Sequence, residues 1–332
     1  MNRPVPAEWS PHRAIWLGFP SHADLWLDDL APAQAEVAAL ARALAGPGGE
    51  RVRLMVRGDE AARAAATLLG GVPGVEIAPG EFGDIWLRDT GPIFFGPGEA
   101  AASFRFNGWG GKYQLPGDEL VAGQIASAAV AALRFHDFIL EGGALDHDGE
   151  GTVLTTRECL LNPNRNRGWT EAVAEAALRG ALAARKVIWL GRGLLNDHTD
   201  GHVDNLARFV APGVVAVPVG FGAQDPHAAV YDEAAEALAG AVDAAGRRLR
   251  VVRIPAPGRV PGADGVWAPA SHMNFIIANR AVVLPVYNER PGALAVEALQ
   301  MLIPDREVIG LPSTALLTGG GSFHCISCEE FA

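Results

Sequence analysis

Near its C-terminus the chain reads Thr318-Gly319-Gly320-Gly321-Ser322-Phe323-His324-Cys325-Ile326-Ser327-Cys328. Three glycines in a row let the backbone approach a ligand closely or take positive φ. The cysteine that follows is a strong nucleophile wherever its surroundings favour the thiolate. Two other readings stand beside this one: a small buried thiol behind a tight turn, and a dithiol formed by Cys325 with Cys328. A second set is Asn196-Asp197-His198-Thr199-Asp200-Gly201-His202-Val203-Asp204-Asn205. On an extended strand His202 and Asp204 project to one face, where the carboxylate orients the imidazole and stabilises its charged form. The same stretch offers His198, His202 and Asp204 as metal ligands, or reads as a polar loop. A third set is Asp84-Ile85-Trp86-Leu87-Arg88-Asp89-Thr90-Gly91-Pro92. A carboxylate beside an aromatic ring suits a planar cation, through bidentate hydrogen bonds and cation–π attraction. Glu141 in Leu140-Glu141-Gly142-Gly143 and Trp109 in Asn107-Gly108-Trp109-Gly110-Gly111-Lys112 are weaker signals of the same kind.

The elements that must position these residues alternate along the chain. Arg51–Val56, Val187–Leu190, Arg250–Ile254 and Glu307–Leu311 are short and rich in branched residues, which predicts strands. Alanine-rich stretches predict helices over Pro32–Ala45, Glu60–Leu69, Gly123–Phe135, Thr170–Lys186, Pro226–Ala245 and Ala293–Leu302. Asp225-Pro226 reads as a cap followed by a first-turn proline. Hairpins are predicted where Leu145–Gly151 precedes Thr152–Leu154 and where Phe275–Arg280 precedes Ala281–Leu284. The class is α/β, and with no linker or low-complexity stretch residues 1–332 form one domain. Asp89, Glu141, His202, Asn274 and Cys325 each lie in or beside a turn marked by glycine or proline, at intervals of about 50 to 70 residues. Five comparable units would carry five turns around one axis and gather side chains into a central site.

Composition narrows the partners. The 332 residues carry 27 Lys and Arg against 38 Asp and Glu, a net charge of −11, which suits a cationic small molecule and argues against nucleic acid. With 49% hydrophobic residues the chain has ample material for a core. No apolar run reaches the roughly 18 residues of a membrane span, and Met1–Trp9 has no apolar stretch of a secretory signal. Three cysteines make no disulfide framework, so the expected compartment is the cytoplasm. A homo-oligomer is compatible with the sequence.

In combination, the chain resembles the agmatine deiminase family, within the Porphyromonas-type peptidylarginine deiminases of the guanidine-modifying pentein superfamily. The likeness runs through Pro6-Ala7-Glu8-Trp9-Ser10-Pro11-His12, WLRDTGP, FNGWGGKY, LEGG, TDGHVDN and PASHMNF to GGGSFHC. It departs at Ser322, where the family has asparagine, and at Cys328-Glu329-Glu330, where the family is rich in glutamine. The resemblance implies a five-bladed α/β propeller with pseudo-fivefold symmetry, one axial active site, and neither metal nor organic cofactor. It implies Cys325 as nucleophile, His202 as general acid and base, and Asp89 and Asp204 as the guanidinium fork. It also implies Glu141 as a further carboxylate near the reacting group and Trp86, with Trp109, beside the substrate. Agmatine would be deiminated to N-carbamoylputrescine and ammonia through a covalent amidino-cysteine. The alternatives are free arginine, peptidyl-arginine, a non-catalytic pentein that binds a macromolecule, and a metal-dependent hydrolase.

Overall fold

The computed structural model describes residues 3–262 and 265–332, so that Met1 and Asn2 of the polar start lie outside the described residues. Its strands form five separate sheets built to one plan. In the third, Asp146–His147 pairs antiparallel with Thr152–Thr156, which pairs in parallel with Lys186–Leu190. The helix Glu171–Leu182 makes the crossover, as a parallel connection requires. The fourth repeats this with Arg208–Ala211, Val214–Val219, the helix Ala228–Ala239 and Arg250–Pro255. The fifth uses Ile276–Ile277, Ala281–Val286, the helix Glu289–Leu302 and Glu307–Pro312. In the second, a single bridge from Ile93 to Ala102 replaces the hairpin, and Ala101–Arg105 runs parallel to Leu133–Ile139. The first sheet takes its antiparallel strand from the other end of the chain. There Ser327–Phe331 pairs with His12–Gly18, which is followed by Val52–Val56 and Val75–Pro79.

The middle strands are the most apolar because they are covered on both faces. Val214–Val219 reads VVAVPV and Ala281–Val286 reads AVVLPV, with the proline at the same place in each. Outside them the alanine-rich helices present a narrow apolar stripe. Helix Leu30–Ala45 buries Val37, Leu40, Ala41 and Leu44 against the first sheet. Each such side chain withdrawn from water contributes roughly 1.5–3 kcal/mol for a branched residue and less for alanine.

Each of the four predicted strands is present, and both hairpins form. Several helix bounds differ. The run from Gly123 to Phe135 is helical only to Ala128. Val130 then takes φ 56°, and residues from Leu133 onward are strand. The helix predicted to reach Lys186 ends at Leu182, with Ala183 in the left-handed region and Lys186 opening a strand. The helix expected from Pro226 to Ala245 spans Ala228–Ala239, and the one expected from Ala293 begins at Glu289. Asp225 holds the amides of Phe221 and His227 at 2.9 Å each, ordering the turn ahead of the helix rather than capping its first turn. No helix among the described residues is long and apolar enough to cross a membrane.

Candidate active site

In every sheet unit the candidate residues lie in the short turn that precedes the first strand. Asp89 sits on Leu87–Thr90, ahead of Ile93. Glu141 opens the turn Gly142–Ala144 ahead of Asp146. His202 opens the 3-10 turn Val203–Asn205 ahead of Arg208, and this turn contains Asp204. Asn274 comes just before Ile276, and Cys325 just before Ser327. The backbone between His202 and Asp204 is thus a tight turn, not the extended strand expected from their spacing. Both still face the same centre, because a turn this tight brings residues two apart back toward one another.

The expected residues converge around Cys325. Its Sγ lies 3.2 Å from Asn274 Nδ2 and 3.9 Å from Asp204 Oδ2. His202 Nδ1 is 3.8 Å from Asp89 Oδ1. Gly143 marks the crowding: a Cβ there would stand 2.6 Å from His202 Nδ1, 2.9 Å from Asp89 Oδ1 and 3.2 Å from Asp204 Oδ2. The Gly143 amide donates to Asp89 Oδ1 at 2.9 Å, and the Trp109 indole donates to Asp89 Oδ2 at 2.9 Å. Trp109 therefore orients the carboxylate as well as lining the site. Glu141 Oε1 accepts from Arg165 Nε at 2.6 Å, and Glu141, Cys159 and His202 offer atoms within 4.8 Å of one another.

A cavity of about 500 Å³ opens onto Cys325, a size suited to a small molecule. Asp89, Trp86 and Trp109 line it with Cys325, while His202, Asp204 and Glu141 stand behind that lining. Trp86 does not stand alone. Its indole donates to Asp84 Oδ2 at 2.9 Å, and the indole of Trp26 donates to Asp84 Oδ1 at 3.0 Å. One buried carboxylate thereby fixes two aromatic walls.

Electrostatically the centre crowds carboxylates around a buried thiol and a buried imidazole. Burial pushes the Cys325 thiol well above its ordinary value, and Asp204 and Asp89 push it further. Burial raises the Asp204 carboxyl to about 7, with Asp89 adding to the rise and His202 opposing it. Burial pulls His202 down, yet Asp89 foremost, then Cys159 and Glu141, hold the imidazole well above its usual range. Burial likewise raises Glu141, against the pull of Arg165. Asp204 Oδ1 and both ring nitrogens of His202 are buried without a hydrogen-bond partner. Buried polar atoms are rarely left so; a planar donor between Asp89 and Asp204 would satisfy Asp204 Oδ1, whereas the N–H groups of the charged imidazole call for an acceptor.

His198, His202 and Asp204 do not assemble as a ligand set. His198 stacks on Tyr113 with ring centroids 5.8 Å apart, and the donor clusters that converge among the described residues are others. Nor do Cys325 and Cys328 share an environment: Cys328 donates to the Pro92 carbonyl at 3.3 Å and lines a separate cavity of about 50 Å³. The sequence reading gave no role to Asn274, although it marked the position, and none to Arg165, Asp84 or Cys159. Asn274 had a signal in its repeat position and Asp84 one in its place two residues before its partner Trp86; Arg165 and Cys159 had none, since their partners lie in other parts of the chain.

The fold is mixed α/β, and an amidinotransferase from Microseira wollei shares it at 11% identity and a TM-score of 0.57 over 98% of this chain and 96% of the other, a likeness of fold alone. The sequence profile of the Porphyromonas-type peptidyl-arginine deiminases matches residues 4–330, and the chain belongs to that family. It is 37% identical to the agmatine deiminase of Stutzerimonas stutzeri, covering 98% of this chain and 95% of that one. Agmatine deiminase of Enterococcus faecalis superposes with a TM-score of 0.93 at 32% identity, over 98% of this chain and 95% of the other.

Proposed function

We propose that this chain is an agmatine deiminase, releasing N-carbamoylputrescine and ammonia by hydrolysis. The observation that carries the reading is the convergence of Cys325, Asp204, Asp89 and His202 from separate turns at the foot of one cavity. Asp89 and Asp204 grip the guanidinium as a fork and turn its central carbon toward sulfur. The bound cation offsets the two carboxylates that hold the thiol protonated, so ionisation of Cys325 accompanies substrate binding. Sγ attacks the carbon, and the charged His202 passes a proton to the departing nitrogen as the C–N bond breaks and ammonia leaves. The remaining amidino-cysteine keeps the aminobutyl chain. His202, now neutral, takes a proton from water, whose oxygen attacks the same carbon. The C–S bond then breaks, the ureido product leaves, and the thiol is restored. Glu141, tied to Arg165, sustains the charge on His202, and Trp86 and Trp109 wall the aliphatic chain.

Agmatine is favoured over free arginine by the charge of the cavity lining. Asp28, Asp29 and Asp84 line it with Asp89, and no lysine or arginine does among the described residues. A terminal amine meets carboxylates there; an α-carboxylate would meet them too, without a cation to pair it. In this reading the five sheets are the blades of a pseudo-fivefold propeller, residues 1–332 act as one catalytic domain, and the enzyme works in the cytoplasm without metal or cofactor. Ammonia release from agmatine, free arginine and a blocked arginine peptide, each with and without chelator, tests it. Agmatine should be turned over fastest, unchanged by chelation; preference for either arginine substrate, or loss of activity on chelation, would overturn the reading.

A further inference from the structure

His324 and Cys325 are consecutive, yet they face different cavities. Cys325 opens onto the large one, and His324 lines the small one with Glu8, Arg88, Asp146 and Glu329. The turn that separates them is pinned by Asn274, whose Oδ1 accepts the His324 amide at 2.9 Å and the Cys325 amide at 3.3 Å. From this position His324 Nδ1 lies 2.8 Å from Asp204 Oδ2. The other oxygen of Asp204 is buried with no partner. One oxygen of the carboxylate is thus anchored, with Cys325 Sγ 3.9 Å from it, and the other is buried with its hydrogen-bonding capacity unused.

We propose that His324 is a positioning residue of the deiminase centre, its Nδ1–H fixing Asp204 so that the free oxygen Oδ1 meets the substrate guanidinium. The inference rests on the functional reading above. Asp204 and Glu8 flank the His324 ring at 2.8 and 3.5 Å, and Glu329 belongs to the same cluster. Burial, followed by the positive charges of Arg208, Arg88 and His202, holds the ring well below its ordinary pKa, so it is neutral with a single N–H. A neutral imidazole facing a carboxylate places that proton on Nδ1. Nε2 is then free of its proton, and Glu8 is already engaged by the amide of Ile277 at 2.7 Å and by Arg208.

The test uses the full chain with kcat and KM for agmatine measured across pH. Asparagine can present an N–H where Nδ1 stood, and glutamine can do so only where Nε2 stood. His324→Asn should therefore retain kcat/KM within about fivefold, whereas His324→Gln and His324→Leu should lose about 10- to 150-fold, the worth of a hydrogen bond to a charged group. Loss of the donor also favours the protonated carboxyl of Asp204. The acid limb of kcat/KM should then move to higher pH in His324→Gln and His324→Leu and stay in place in His324→Asn. Should His324→Leu fail to fold, the Asn and Gln pair decides. Equal activity in that pair, or an acid limb that His324→Gln leaves unmoved, overturns the proposal while the deiminase reading stands. A wild type that does not turn over agmatine overturns both.

Discussion

Two sets of buried charges flank the turn that carries Cys325, and they are finished to different degrees. Behind it, Arg208 is fully buried and fully engaged: Asp146 Oδ1 at 3.0 Å, the carbonyls of Met273 and Phe275 at 3.0 and 2.9 Å, and Glu8. Arg88 is held by both oxygens of Glu329 and by Ser327 Oγ at 2.8 Å. Although burial opposes it, that pairing draws Glu329 down to about 2. On the other side lie Asp89, which lines the cavity, and Asp204 and His202 behind it, with three buried polar atoms unpartnered and no arginine or lysine lining the cavity among the described residues. The same carboxylate chemistry serves both regions. Where the protein provides the arginine, the result is architecture; where it does not, the result is, in the proposed reading, a place for the guanidinium of the substrate.

This contrast can be broken most severely at the nucleophile. Cys325→Ser should lower kcat by at least about 10³-fold, in the range seen when nucleophiles are removed, with unchanged circular dichroism. Loss of secondary structure in that variant would move Cys325 to the architectural set. Arg208→Met leaves Asp146 and Glu8 facing an apolar chain, at a cost of about 3–5 kcal/mol in stability. Denaturant unfolding should record that loss, while the folded enzyme loses far less turnover than Cys325→Ser; unchanged stability would show that the rear cluster is not the scaffold described. Asp89→Asn should do the reverse. It sets a donor against the guanidinium and should cost about 2–5 kcal/mol in transition-state stabilisation, roughly 30-fold to several thousand-fold in kcat/KM. A value within about threefold of wild type would remove Asp89 from the fork. Cys328→Ser, on the finished side of the turn, should change kcat/KM least. An effect comparable to that of Cys325→Ser would restore the dithiol reading.

Much of this division was legible in the sequence, and for a definite reason. Asp89, Glu141, His202 and Cys325 each lie within four residues of a glycine in a turn, so the backbone chemistry that forms the turn also advertises the residue it presents. The repeat was visible through those turns, and the matched VVAVPV and AVVLPV strands carry it as well. Less was legible where partners lie far apart in the chain. Nothing local says that Arg165 takes Glu141, that Asp84 joins Trp26 to Trp86, or that Arg208 is matched to Glu8. Those pairs exist only once distant units meet. Local propensity misled in two places. The alanines near 129–132 extended a helix that ends at Ala128, and alternation in His202-Val203-Asp204 suggested a strand where burial demands a turn.

The central claim is that Cys325 forms a covalent bond to the guanidinium carbon held between Asp89 and Asp204. Wild-type enzyme mixed with excess agmatine, quenched in acid during turnover and digested, tests it directly by mass spectrometry. The peptide containing Cys325 should carry the mass of agmatine less one ammonia, and Asp89→Asn should accumulate far less of it. An adduct on Cys328 instead, or turnover under the same quench with Cys325 never modified, would contradict the account.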